Sequence, residues 1–309
     1  DKKFLADRGW PLMKGAARFI LDFLVEAPPG TPVAGKLVTS PSFSPENSFI
    51  LPDGNRTGLT YGATMDLEII HDLLTNCIAA SKILGVDADF RQECEAALAK
   101  LAPVRISPKS GRIMEWIEDY QETDIHHRHT SHLWGLYPGH MITPATPDLF
   151  AAARKVLEVR GDSGEKWSLA WKVNMWARLQ DGDHAYKIMK DLVGGRSGAN
   201  LFDNGGIFQI DGNLGGTAGV PEMLLQSEVQ DAKGNFELQL LPALPKVWQK
   251  GSVTGLCARG GFEVDMKWDA GKLTNATIRS KGGTACDVVY GGKTLPLLLK
   301  NGEARQLTF

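Results

Sequence analysis

Apolar residues recur every three or four positions through roughly the first 230 residues of the chain and every second position after that. In DKKFLADRGWPLMKGAARFILDFL, the residues Leu12, Ala16, Phe19, Ile20, Phe23 and Leu24 fall at helical spacing behind Trp10 and Pro11, which predicts an amphipathic helix. Residues 62–84 place Leu67, Ile70, Leu74, Cys77 and Ile78 on one face and stop at Gly85. The next run, DADFRQECEAALAKL, takes Asp87 as N-cap and turns Phe90, Cys94, Leu98 and Leu101 inward, so the two helices form a hairpin. The pattern returns in TPDLFAAARKVLEVRG, with Pro147 in the first turn, in KWSLAWKVNMWARLQDG, and in DHAYKIMKDLVGG with Asp183 as the expected cap. A last helix is predicted over about Thr217 to Ser227.

Beyond Asn235 the period changes to two. Phe262, Val264, Met266 and Trp268 alternate in GFEVDMKW, and ATIRS, CDVVYGG and TLPLLLKNGE read as short strands between glycine turns. The expected class is mainly α with a C-terminal antiparallel β domain, divided into residues 1–234 and 235–309 near the polar stretch VQDAKGN. Long, motif-bearing loops on one side of the hairpins suit a helical toroid with a ligand site at one mouth, although a solenoid or an irregular bundle has the same periodicity. A long Pro, Gly and Ser loop is expected from about Ala27 to Tyr61, a length that usually signals function or disorder.

Composition narrows the partners. The chain has 309 residues, 43% hydrophobic and 23% charged, with a net charge of −2, and its charges are dispersed, so neither nucleic acid nor an anionic membrane is an expected partner. No apolar run approaches the ~20 residues of a membrane-spanning helix. Four cysteines show no CxxC or metal spacing and are expected to be buried free thiols.

Candidate chemistry concentrates in four stretches. Glu46 lies in SPSFSPEN, a proline-bracketed loop where partial desolvation could raise its carboxyl toward a working general acid, or where it could simply accept loop amides. Asp211 and Asn213 lie in FQIDGN among glycines that allow close ligand approach, or that make an ordinary turn. The run HHRHTSHLWGLYPGH holds five of the seven histidines. It lacks the Glu that a metalloprotease helix needs after its first His. His129 and His132 with Trp134 suit sugar hydroxyls and a pyranose face, or a packed histidine cluster, with His126, His127 and His140 peripheral. In KWSLAWKVNMWARL, Trp167 and Trp171 share a helix face and Trp176 falls on another, as core.

One acid in a rigid loop, imidazoles and indoles in the middle and a second acid in a glycine-rich turn, in that order, resemble glycoside hydrolase family 95. The matching stretches are LVTSPSFSPEN, TMDLEIIHDLL, HRHTSHLWGLYPG, WSLAWKVNMWARL, LFDNGGIFQIDGNLGGTAGVPEMLLQS and ELQLLPALPKVW. The resemblance implies the later part of an (α/α)6 barrel followed by a β domain. It also implies inverting exo-hydrolysis of terminal α-L-fucosyl or α-L-galactosyl residues, with no metal or cofactor and a secreted or periplasmic setting.

By the same resemblance Glu46 is the general acid and Asp211 helps activate water on the opposite face, the two carboxyls standing ~6.5–9.5 Å apart in an inverting site. The family's water-positioning asparagines belong to a motif upstream of the SPEN loop that is not among these residues. The expected partners are therefore a glycan and the remaining N-terminal part of the same enzyme, and the chain alone is expected to be inactive. Another (α/α)-barrel enzyme, such as a glycoside phosphorylase, and a noncatalytic glycan-binding module share these features.

Overall fold

The apolar stripes of the first hundred residues close on one another. In the structure, a computed structural model that describes residues 1–203, 207–231 and 233–308, a short helix α1 (Lys2–Phe4) and a π-helical turn (Leu5–Gly9) lead into α2 (Trp10–Phe23). This helix packs with α3 (Thr64–Leu84) and α4 (Ala88–Lys100). Their core joins Trp10, Ala17, Leu67, Leu74, Phe90 and Cys94, with Trp10 set edge-on against Phe90. The helix α2 is apolar on more than one face. Met13, Ala17 and Ile20 turn inward while Leu12 and Phe19 stay exposed, so the inward stripe is rotated from the predicted one.

The hairpin turn follows backbone sterics. Gly85 ends α3 in the left-handed region, where a Cβ would be penalised. Asp87 is also left-handed and makes no side-chain cap, because its carboxylate accepts from Trp10 Nε1 at 2.8 Å and pairs with Lys14. The expected long loop is instead threaded by short strands. Leu24–Glu26 pairs with Leu37–Thr39, Ser42–Phe43 with Leu59–Thr60, and Phe49–Ile50 lies between Arg56–Thr57 and Gln121–Glu122. These ladders satisfy backbone groups that would otherwise be orphaned beside the helices. The histidine segment follows, with only the 3-10 turn Ser131–Leu133 as regular structure, and then α5 (Pro147–Arg160), whose proline occupies the first turn as expected.

Glu68 on α3 holds that histidine segment. Its Oε2 accepts from the Gly135 amide at 3.0 Å, and a Cβ on Gly135 would stand 2.9 Å from Oε1. Burial raises the Glu68 carboxyl well above its ordinary range, opposed by the backbone amides of Gly135 and Trp134.

Compact units span Asp1–Gly161 and Asp162–Phe309. The second contains α6 (Lys166–Arg178), α7 (Gly182–Arg196) and α8 (Ile210–Leu224), followed by strands, so the change from helix to strand falls just after Leu224. The N-cap of α7 is Asp181, which accepts from the His184 amide, whereas Asp183 accepts from the Lys246 amide at 2.8 Å. The α8 helix begins seven residues earlier than the periodicity predicts because its glycines are packing positions. A Cβ on Gly215 would lie 3.1 Å from the Ala170 Cβ, and one on Gly219 would lie 2.5 Å from Val173 Cγ1, both on α6.

Two four-stranded sheets complete this unit. One runs in the order Gly251–Ala258, Phe262–Asp269, Lys272–Ser280, Ala304–Thr308. The other runs Lys293–Leu298, Ala285–Tyr290, Phe236–Leu240, Leu225–Gln226, and is antiparallel except where Ala285–Tyr290 lies parallel to Phe236–Leu240. Phe262, Val264, Met266 and Trp268 are all buried, as their alternation predicts. Cys77, Cys94 and Cys286 are buried thiols, but Cys257 is exposed because it falls on the outward-facing register of its strand.

Two stability predictions arise from this packing. Gly219→Ala should lower stability by about 1–3 kcal/mol through overpacking against Val173, despite alanine's higher helix propensity. Gly194→Ala on α7, where a Cβ meets nothing within 4 Å, should instead add roughly 0.5–1 kcal/mol. Urea midpoints of the two variants moving the same way would refute the packing account of α8. For Glu68 the native state keeps its proton above the ordinary value of 4.5, where the unfolded chain releases it, so its contribution to stability falls as pH rises from there. Glu68→Gln does not titrate, and its stability relative to the parent protein should therefore rise between about pH 5 and about pH 8. Equal differences at the two pH values would show that Glu68 is not shifted.

Candidate active site

The SPEN loop is buried on both sides of one exposed carboxyl. Ser44 donates from Oγ to Glu115 Oε1 at 2.8 Å, and Asn47 donates from Nδ2 to Glu115 Oε2 at 2.9 Å. The Asn47 amide closes the turn onto the Ser44 carbonyl at 2.9 Å, and Ser131 Oγ donates to the Pro45 carbonyl at 2.8 Å. With its neighbours held this way, the Glu46 side chain projects outward, 62% exposed. Within this unit the desolvation expected for Glu46 is therefore absent. Arg128 Nη2 donates to Glu46 Oε2 at 2.6 Å, and His129 Nε2 stands 3.9 Å from the same oxygen.

The histidine run separates into distinct environments. His127 and His129 stack with ring centroids 5.1 Å apart, and burial, His127 and Arg128 together push the His129 imidazole down to about 4. A neutral ring offers one donor and one acceptor, which suits a hydroxyl. His132 is only 2% exposed and lies behind the SPEN loop, with Nδ1 3.7 Å from Glu115 Oε2. Burial, with Arg160 and Arg112 nearby, holds it neutral. Trp134 is half-buried, and its backbone is fixed through the Glu68 contacts. His126 is exposed and bonds the Val159 carbonyl, while His140 is exposed beside Asp72. Among the described residues no group of three or more His, Cys, Asp or Glu side chains could hold a metal ion.

The remaining predicted residues belong to the second unit and gather at the N-terminal ends of two packed helices. Trp167 is half-buried in the first turn of α6, and Asp211 is exposed in the first turn of α8, where the helix macrodipole favours a carboxylate. The two turns are close, since a Cβ on Gly212 would lie 3.2 Å from Lys166 Cβ. Asn213 spends its amide on the loop before α8, accepting from the Asp203 amide at 3.1 Å and donating to the Leu201 carbonyl at 2.7 Å. Asp203 in turn faces Lys166 Nζ at 3.5 Å, both side chains buried. Trp176 is core, stacked on His184. Residues 204–206 of the glycine-rich motif lie outside the described residues.

The sequence does not single out Glu115 or Arg160. Glu115 sits in MEWIEDYQE among other acids, and Arg160 ends an amphipathic helix, where a cation is ordinary. The only local signal is the apolar pair Ile113 and Met114 with Trp116 around Glu115, which predicts a buried segment with an acid inside it.

Comparison with known proteins shows the family. The family model described as the glycosyl hydrolase family 95 catalytic domain matches residues 1–224, and that of the glycoside hydrolase family 95 C-terminal domain matches residues 230–306. The chain is 42% identical to Alpha-L-fucosidase 2 of Arabidopsis thaliana over 94% of its own length and 35% of that protein. It is 30% identical to Probable alpha-fucosidase A of Aspergillus niger (strain ATCC MYA-4892 / CBS 513.88 / FGSC A1513), over 96% of its length and 39% of that protein. It thus spans well under half the length of these relatives. A putative kojibiose phosphorylase from human microbiome aligns to the whole chain and to 47% of its own, with a TM-score of 0.59 at 11% identity, a likeness of fold alone. With both family models matched in order and covering nearly every residue between them, the chain belongs to glycoside hydrolase family 95.

Proposed function

We propose that the protein carrying this sequence removes terminal α-L-fucosyl or α-L-galactosyl residues from glycans by an inverting exo-hydrolysis. Glu46 protonates the leaving oxygen as the bond to the anomeric carbon breaks, and Asp211 takes a proton from the water that attacks the opposite face. His129, Trp134, Trp167 and Asn213 contact the sugar, with His132 set behind the SPEN loop as a support. Residues 1–234 then form the later part of an (α/α)6 barrel and 235–309 its β domain. The single observation supporting Glu46 is its position as the one outward carboxyl of a loop whose flanking side chains, Ser44 and Asn47, are locked inside. Arg128 Nη2 occupies a Glu46 carboxyl oxygen, so this contact must give way as the leaving oxygen arrives. Arg128 is itself 40% exposed.

The reading places turnover in the whole protein and takes these residues alone to be inactive, because the water-positioning asparagines implied by the family resemblance lie outside them. Exposed Leu12 and Phe19 on α2 are consistent with further protein covering that face.

NMR of a fresh digest with the whole protein should show the β-anomer of L-fucose first, and initial appearance of the α-anomer would sink the inverting mechanism. Glu46→Gln should slow turnover of an α-1,2-fucosyl disaccharide by about 100-fold or more, with binding nearly intact, as loss of a general acid does. Unchanged turnover removes Glu46 from the chemistry.

A further inference from the structure

We propose that Glu115 is the positioning residue of the SPEN loop, a buried carboxylate that aims Glu46 from behind by holding both of its flanks. The proposal rests on the reading of Glu46 as the acid. Its basis is a convergence that a simple buried ion pair does not require. Ser44 and Asn47 bracket Pro45 and Glu46 in sequence, and their side chains reach opposite oxygens of the same carboxylate, at 2.8 and 2.9 Å. The third constraint, Ser131 Oγ on the Pro45 carbonyl, comes from the histidine segment. The loop is therefore held at Ser44, Pro45 and Asn47 on either side of Glu46, whose side chain is left outside.

The other side of Glu115 is built to keep its head still. Arg160 Nη2 donates to Glu115 Oε2 at 2.7 Å, and Arg160 is itself fixed by Glu122 and by the Ile125 carbonyl at 2.7 Å. His132, neutral and buried, packs on the remaining side at 3.7 Å. Behind the carboxylate, the Glu115 carbonyl accepts from the Thr64 amide at the start of α3 at 3.1 Å, so the anchor is continuous with a helix. Burial lifts the Glu115 carboxyl to about 7, against Arg160, Ser44 and Asn47, so its grip on two donors is contingent on those partners.

An amide at this position keeps the connectivity only by reversing one hydrogen bond and giving up the charge that strengthens the others. Glu115→Gln can turn its NH2 only toward Ser44, whose hydroxyl must then accept instead of donate, and it offers Asn47 and Arg160 a neutral carbonyl in place of a carboxylate oxygen, so the hold on both flanks weakens. A displacement of roughly 1 Å at an acid costs on the order of 100-fold in the step that needs the proton.

The test compares leaving groups in the whole protein. An α-1,2-fucosyl disaccharide needs a proton on its departing oxygen, whereas α-L-fucosyl fluoride leaves with little help. Glu115→Gln should slow disaccharide turnover on the order of 10- to 100-fold, leave fluoride turnover within about threefold and keep KM for both nearly unchanged. Asn47→Ala, which spares the Glu115–Arg160 pair, should show the same selectivity more weakly, and it decides the matter if Glu115→Gln does not fold. Equal slowing of both substrates would reduce Glu115 to a fold-supporting group and overturn the proposal. Glu46→Gln run in parallel separates the two claims. Selectivity in Glu46→Gln but not in Glu115→Gln or Asn47→Ala defeats only the positioning role, whereas no selectivity in Glu46→Gln defeats the acid assignment beneath it.

Discussion

A carboxylate and a guanidinium sealed from water, Glu115 and Arg160, set the terms for the first unit. Their side chains are 3% and 0% exposed, and each has further partners, Glu122 for Arg160 and Ser44 with Asn47 for Glu115. Removing one partner of such a pair costs about 3–5 kcal/mol, because the survivor is left charged in an apolar surround. The pair also fixes geometry, since Arg160 closes α5, Glu122 belongs to the strand beside Phe49–Ile50, and Ser44 and Asn47 come from the SPEN loop. Segments far apart in sequence are forced to one point by hydrogen-bond satisfaction, a stricter demand than apolar contact, which tolerates sliding.

That distinction explains what the sequence made legible. Helices α3, α4 and α5 and the alternating strand Phe262–Asp269 announce themselves because each buries one face, and one-face burial leaves a period in the residues. The helix α8 hides its period. Until Met223 its buried positions are Gly212, Gly216 and Gly219, so most of the face it buries carries no side chains, and Ala170 and Val173 on α6 and Leu192 on α7 reveal why. The face of α2 is ambiguous for the opposite reason, as it has more apolar residues than its own neighbours cover. The caps of α4 and α7 escape the sequence pattern for a third reason. Asp87 and Asp183 each have better partners elsewhere in the fold, Trp10 with Lys14 and the Lys246 amide, and tertiary hydrogen bonds outweigh a local cap.

The candidate site divides along the same line. Glu46, His129 and Trp134 stand out in the sequence because loops rich in proline and histidine are unusual, and the motifs that contain them carry the family resemblance. Their supports do not stand out. Glu115 is one of several acids in a short stretch and Glu68 is one acid on a long helix, and each acquires meaning only from what surrounds it: two flanks of a loop in one case, the Gly135 amide in the other. A buried acid is an expensive choice for a merely structural post, where an apolar residue would serve at lower cost.

The histidines show how far burial alone can carry a functional distinction. His127, His129 and His132 are all driven toward the neutral form, chiefly by burial, so the run presents hydrogen-bonding rings without adding positive charge beside Arg128. A cationic cluster there would compete with Arg128 for Glu46. Neutral rings leave the guanidinium as the one fixed charge within hydrogen-bond reach of that carboxyl among the described contacts, and a single partner can be exchanged for an incoming ligand more readily than several. The clustering of imidazoles is thus compatible with acid chemistry because the fold keeps them uncharged.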